Sequence, residues 1–183
     1  MKSYALEYRS AGISPALVTA SNASFGDDSV WRWSTEGGLF KLFGGCIDWF
    51  CTLQRTVTTS STEAELLALS HICAWLFWWH RVFDYLELDL DSDTTVNCDN
   101  LQTIQLIIKE SPKLVTKLKH IDIHQHWLHQ ETKKGTVKIE WISTNEMLAD
   151  GLTKALAPQK HKTFHRQLNL VDIKTLLDQI DSS

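Results

Sequence analysis

Proline is scarce in this chain, with three in 183 residues. So few leave little room for a Pro-rich linker, and no repeat or low-complexity tract takes its place. One domain is expected, or one domain with an extra terminal helix, with 43% hydrophobic residues to build its core. Cysteine is also thin. Cys46, Cys51, Cys73 and Cys98 form no CxxC pair, so free thiols in a reducing compartment are expected. No apolar run approaches the ~20 residues that cross a bilayer. The opening MKSYALEYRS lacks the apolar segment of a secretory signal. The expected setting is therefore intracellular, cytoplasmic or nuclear, with no membrane partner. A surplus of positive charge is missing too: the net charge of −4 argues against a strong, general nucleic-acid binder. That average conceals an asymmetry. Residues 1–108 hold 6 Lys and Arg against 13 Asp and Glu, whereas residues 109–166 hold 11 against 6, with six of the eight histidines. The contrast fits a metal site beside a phosphate-binding face, and it equally fits solvated charge unevenly spread.

What the chain does have is clear punctuation. "ALVTASNAS" (16–24), "GGLFKLFG" (37–44) and "CIDWFCTL" (46–53) are predicted strands, with Gly44-Gly45 as a hairpin turn. "SSTE" (60–63) is a capping box, with Ser60 as N-cap and Glu63 at N3, opening a helix to about Leu86. "TTVNC" (94–98) is a strand, and a short helix follows Asn100. Residues 117–135 form a predicted helix ending at Gly135, and 136–143 alternate as a strand. "STNE" (143–146) is a second capping box, opening a helix to about Ala155; a last helix covers 158–168. Three meandering strands followed by strands separated by helices imply an α/β domain, a mixed sheet covered by helices. Several α/β folds share this order.

Three carboxylates stand outside the capping logic: Glu65 in "TEAELLAL", Asp99 at the end of a strand in "VNCDN", and Asp150 in "EMLADGLTK". Each has a local reading, Asp99 as a helix cap and the other two as acids near a positive helix end. Together they can converge at one edge of a sheet. Clustered carboxylates call for a hard cation such as Mg²⁺, and two such ions ~4 Å apart can drive phosphodiester hydrolysis.

"TVTTSSTEAELLALSH" (56–71), "CDNLQTI" (98–104), "KLKHIDIHQHWLHQE" (117–131) and "NEMLADGLTKAL" (145–156) resemble the ribonuclease H domain of copia-type LTR retrotransposon polyproteins, most closely the fungal form. The resemblance runs from about Tyr4 to Val171. It implies a ribonuclease H-like fold: a mixed five-stranded sheet flanked by helices, over residues 1–171. An N-terminal extension over 1–14 and a tail over 172–183 complete the expected division. The implied activity is endonucleolytic cleavage of the RNA strand in RNA/DNA hybrids with two Mg²⁺ or Mn²⁺ ions. The family's acids fall on Glu65, Asp99 and Asp150, implied as catalytic metal ligands. Its first aspartate sits in a "SDASF"-like strand, which here reads "SNASF", so Asn22 stands in its place. An amide is neutral and offers one acceptor oxygen; metal binding is expected to weaken and cleavage to be impaired or lost. Asp27 and Asp28 are poor substitutes, because five extended residues span roughly 16 Å.

Other departures cluster nearby. Trp33 replaces a basic residue of the pattern, Gly38 an aromatic, and Phe50 and Leu53 stand where lysines are usual; each lost lysine removes a plausible phosphate contact. "ICAWLFWW" (72–79) replaces charged residues with an apolar run that cannot present only one helix face, and the chain holds eight tryptophans. Either the core or a partner covers it. The alternative function is therefore a non-catalytic module for protein interaction or self-association through residues 72–79. His120, His124, His126 and His129 include one helical i, i+4 pair but no standard zinc pattern; packing, or a place near the hybrid backbone, is expected instead.

Overall fold

The computed structural model describes residues 3–9, 15–90, 94–109 and 119–174. A short strand β1 (Tyr4–Leu6) leads into the meander β2 (Leu17–Ser24), β3 (Thr35–Leu42) and β4 (Gly45–Leu53). Helix α1 (Ser61–Tyr85) follows, then β5 (Thr95–Cys98), α2 (Leu101–Ile108), α3 (Lys119–Lys134), β6 (Lys138–Trp141), α4 (Asp150–Thr153), α5 (Pro158–Gln167) and β7 (Leu170–Asp172). Five strands form one mixed sheet in the order β4-β3-β2-β5-β6, with β2–β5 and β5–β6 parallel. The expected fold class is the one observed. Helices divide the core between the two sheet faces. Phe40, Leu66, Leu69, Ile72, Leu76, Ile121 and Leu128 fill the α1/α3 side. Ala20, Leu39, Met147, Leu148 and Ala149 fill the other.

Ser60 caps α1 as expected, its Oγ accepting from Glu63 N at 3.2 Å, and the Glu63 carboxylate reaches back one residue past the cap, Oε2 accepting from Thr59 N at 2.6 Å. The second capping box does not open a helix. Ser143 Oγ donates to Glu146 Oε2 at 2.8 Å, and Glu146 N closes a turn on Ser143 O at 2.9 Å. Met147, Leu148 and Ala149, all buried, follow as turn and irregular backbone until α4. The hairpin also differs from expectation. Leu42 pairs with Gly45, so the two turn residues are Phe43 and Gly44, both at positive φ (50° and 83°). Phe43 is held there by backbone bonds from its N to Ala16 O and from Arg9 N to its O.

Helix α3 covers the described part of the predicted 117–135 helix; Lys117 and Leu118 lie outside the described residues. Gly135, at φ 76°, ends it. β1 and β7 pair antiparallel in a separate two-stranded ribbon, Tyr4 opposite Asp172, so a strand crosses the expected boundary at residue 171. Residues 175–183 of the expected tail lie outside the described residues. Among the described residues no helix is long and apolar enough to cross a membrane.

Candidate active site

β2 is the middle strand, and alternation along it sets the site. Ala20 lies in the core beneath α4, and two residues on the same face presents Asn22, 3% exposed. Opposite Asn22 in the ladder is Gly37. A Cβ there would fall 2.9 Å from Thr153 Cγ2 and 3.0 Å from Leu152 Cβ, so only glycine lets α4 lie directly on β3. On its far side α4 meets α5, where a Cβ on Gly151 would strike the Phe164 ring at 2.7 Å. These two close approaches seat Asp150 over Asn22.

The contact between them is direct. Asn22 Nδ2 donates to Asp150 Oδ1 at 3.1 Å and to Thr153 Oγ1 at 2.9 Å. The Lys154 ammonium forms an ion pair with the same Asp150 oxygen. Asp150 is 6% exposed, so a buried carboxylate has an amide and a cation as its partners. Glu65 enters from α1 at the end of β2, where its Oε1 accepts from Ala23 N at 3.1 Å. Its second oxygen, Oε2, is buried without a hydrogen-bond partner. Burial, reinforced by the charges of Asp99 and Asp150, pushes the Glu65 carboxyl up to about 8, against the pull of Ala23 N–H and Lys154. Asp99 follows β5, half-buried, and its backbone carbonyl accepts from Trp141 Nε1 at 3.2 Å. The helix cap offered as its local reading belongs to its neighbour: Asn100 accepts from Thr103 N at 3.1 Å.

The four sequence-identified positions, Asn22, Glu65, Asp99 and Asp150, thus meet at one end of the sheet. Lys154, Thr153 and Gly37 complete the site and were not singled out from sequence. Lys154 carried a signal, since it lies four residues after Asp150 on a helical repeat; Thr153 and Gly37 are meaningful only through tertiary contact. Asp27 and Asp28 serve the β2–β3 turn, Asp27 accepting from Thr35 N at 3.0 Å and Asp28 from Trp31 N at 2.9 Å. Both carboxylates are engaged in that turn.

This donor set does not fit a pair of divalent ions. Among the described residues no group of three or more His, Cys, Asp or Glu side chains is arranged to hold a metal. The Asn22 amide turns its donor toward Asp150, and one Asp150 oxygen already carries both Nδ2 and Nζ. Of the four histidines singled out, His124, His126 and His129 have local partners, whereas His120 Nε2 is buried without a hydrogen-bond partner. Ser70 Oγ and His124 Nδ1 lie 2.6 Å apart, and His129 Nδ1 contacts Ile107 O at 2.7 Å. His71 Nδ1 pairs with Glu36 at 2.7 Å.

The departures from the family pattern also find their places. Gly38 lies opposite Phe50, and a Cβ on it would sit 2.3 Å from Phe50 Cε1 and 2.6 Å from Ile72 Cδ1. Phe50 occupies the space that an aromatic at 38 would need. The apolar run 72–79 wraps the helix: Ile72, Cys73 and Leu76 are fully buried, Phe77 and Trp79 pack on the core, and Trp75 and Trp78 remain 38% and 48% exposed.

No family model matches the chain. The Pol polyprotein of the tobacco (Nicotiana tabacum) transposon TNT 1-94 is 34% identical over 149 residues, 81% of this chain and 11% of the polyprotein. The Pol polyprotein of the Arabidopsis thaliana transposon RE2 is 27% identical over 158 residues, again 11% of its length. These relatives are from plants. The chain spans about a tenth of either polyprotein. Secreted RxLR effector protein 161 of Plasmopara viticola is 46% identical over 77 residues, 42% of this chain and 54% of that protein. Among solved structures, RNase H1 of Halobacterium salinarum superposes with a TM-score of 0.51 over 74% of this chain and 92% of its own, at 13% identity. LC11-RNase H1 in complex with an RNA/DNA hybrid gives 0.51 over 74% and 92%, at 11% identity. With this fold, this order of motifs and these relatives, the chain is a ribonuclease H-like domain of the kind found in copia-type retrotransposon Pol polyproteins.

Proposed function

We propose that the domain engages RNA/DNA hybrids and has lost most of the ability to cut them. The observation that carries this reading is the Asn22 amide bonded to Asp150, where the family resemblance implies an aspartate and a pair of divalent ions, Mg²⁺ or Mn²⁺. The ancestral reaction is water attack on the RNA phosphodiester, leaving 3′-hydroxyl and 5′-phosphate ends. A transition-state loss of about 4 kcal/mol at residue 22 would slow it roughly a thousandfold. Glu65, Asp99 and Asp150 keep the family's remaining positions, and the hybrid-bound LC11 structure shares the fold.

Hybrid affinity is expected to be modest, because Phe50 and Leu53 stand where lysines would meet phosphate. Fewer phosphate contacts also give a shallower dependence on salt. Fluorescence anisotropy with a labelled hybrid, duplex DNA and duplex RNA of one sequence tests the reading. It predicts preference for the hybrid with no product in Mg²⁺; equal affinity for all three would defeat it.

A second reading rests on Trp75 and Trp78, exposed on α1, and on the secreted effector that shares part of this sequence. It makes the domain a docking module, through a homodimer or a protein partner on residues 72–79. Light scattering on the purified chain, with Trp75→Glu as comparison, separates the two. A dimer abolished by the substitution favours docking, and a monomer in both leaves hybrid recognition in place.

A further inference from the structure

We infer that Asn22 and Lys154 together take the place of the missing cation at Asp150, so that this carboxylate is compensated and the β2–α4 junction held shut by the chain's own groups, and its folding no longer responds to divalent metal. This rests on reading the site as ribonuclease H-like, and goes beyond it by assigning roles to Lys154 and to the new amide.

The geometry has three parts. Asp150 is buried, and a buried carboxylate needs a counter-charge or donors. It receives one of each on a single oxygen: the Lys154 ammonium and the Asn22 amide. Thr153 Oγ1 ties the arrangement to the helix, accepting from Asn22 Nδ2 at 2.9 Å while its hydroxyl faces Asp150 O at 3.4 Å. Both hydrogens of the amide are therefore used, one on each of two groups of α4. The amide does across the β2–α4 junction what a bridging ion does between two carboxylates: it joins them attractively.

Reverting residue 22 exposes the logic. An aspartate there would set a carboxylate oxygen about as far from Asp150 Oδ1 as Nδ2 is now, 3.1 Å. Two carboxylates so close repel unless a cation lies between them. Lys154 bonds to Asp150 from the following turn and is a single charge. Room to relax is small, because Gly37 and Gly151 already hold α4 at close approach on both sides. The reverted junction should therefore need an added ion, whereas the present one does not.

Thermal unfolding of the wild-type chain, Asn22→Asp and Lys154→Met tests this, each in EDTA, Mg²⁺ and Mn²⁺ at matched ionic strength. The wild-type midpoint is expected to be the same in all three. Asn22→Asp should melt lower in EDTA, by about 5 °C for a chain of this size, and recover as Mg²⁺ or Mn²⁺ is titrated. Lys154→Met should also melt lower in EDTA, since it removes half of the substitute. If Asn22→Asp does not fold in EDTA, far-UV circular dichroism during the metal titration gives the same readout: refolding supports the inference and its failure overturns it. A wild-type midpoint that rises with Mg²⁺ as much as the variant's, or an Asn22→Asp midpoint indifferent to EDTA, overturns it as well. Hybrid cleavage is read separately. Metal-responsive melting without cleavage by Asn22→Asp would leave this inference standing and remove Asn22 as the single cause of lost cleavage in the proposed function. Cleavage by Asn22→Asp together with a metal-responsive wild type would do the reverse.

Discussion

At the scale of single residues, the site is a balance of buried charge. Glu65 is the least comfortable member: 5% exposed, with one oxygen on Ala23 N and the other without a partner. Its carboxyl rises from the usual 4.5 to about 8, so the folded chain holds a proton that the unfolded chain releases. Linkage then fixes the sign. The contribution is complete below about pH 4.5, falls as pH rises, and is gone once pH passes about 8. Glu65→Gln should remove this slope, leaving the urea midpoint of the variant flatter than that of the wild type between those limits. A parallel course for the two proteins would show that Glu65 is not buried as described. The Glu36–His71 pair works in the opposite sense at its acid end. The His71 bond holds Glu36 below its usual range despite burial, so its contribution is present above pH 4.5 and lost as pH falls further. Sequence made Asn22, Glu65, Asp99 and Asp150 visible because long motifs surround them. It did not show that Asn22 would bond to Asp150, since 128 residues separate the two and only the packing of α4 joins them.

At the scale of elements, two departures from the family pattern turn out to be one. Gly38 and Phe50 face each other across β3 and β4, and the Phe50 ring lies over the glycine with His71 and Trp75 beside it, at centroid distances of 4.8 Å and 5.7 Å. Moving an aromatic from one strand to its neighbour keeps the pocket filled. Gly38→Phe alone should therefore be severely destabilising. Combined with Phe50→Lys it should cost less than the two single changes added, by about 1 kcal/mol or more in a double-mutant cycle. Strict additivity would refute the exchange. Gly37→Ala should cost about 1–3 kcal/mol by overpacking α4, and chemical denaturation reads it directly. Elements with local signals were legible: the capping box at Ser60, the end of α3 at Gly135, the strand from Thr95. The box at Ser143 was a false signal: its Ser–Glu side-chain bond forms, but it closes a turn on Ser143 O and opens no helix.

At the scale of the molecule, the order of strands and helices was sufficient to anticipate a mixed sheet covered by helices, and the family resemblance specified the five-stranded one. The β1–β7 ribbon was not anticipated. Three-residue strands carry almost no periodic signal, and their pairing depends on contacts between the two ends of the sequence, such as Asn169 Nδ2 donating to Glu7 O at 2.6 Å. None of the eight tryptophans is fully buried: Trp79 and Trp127 pack on the edge of the core, and five others are exposed. In the run on α1 it is Ile72, Cys73 and Leu76 that packing explains, with Trp75 and Trp78 left over. The described residues form a ribonuclease H-like fold, and, on the proposed function, one amide closes its centre. The measurement that tests this most directly is strand-resolved hybrid cleavage by the wild-type chain and by Asn22→Asp, in Mg²⁺ and in Mn²⁺. Cleavage that rises by on the order of a thousandfold in the variant, with the RNA strand cut and the DNA strand intact, is the predicted result. Equal cleavage by both proteins would contradict the account.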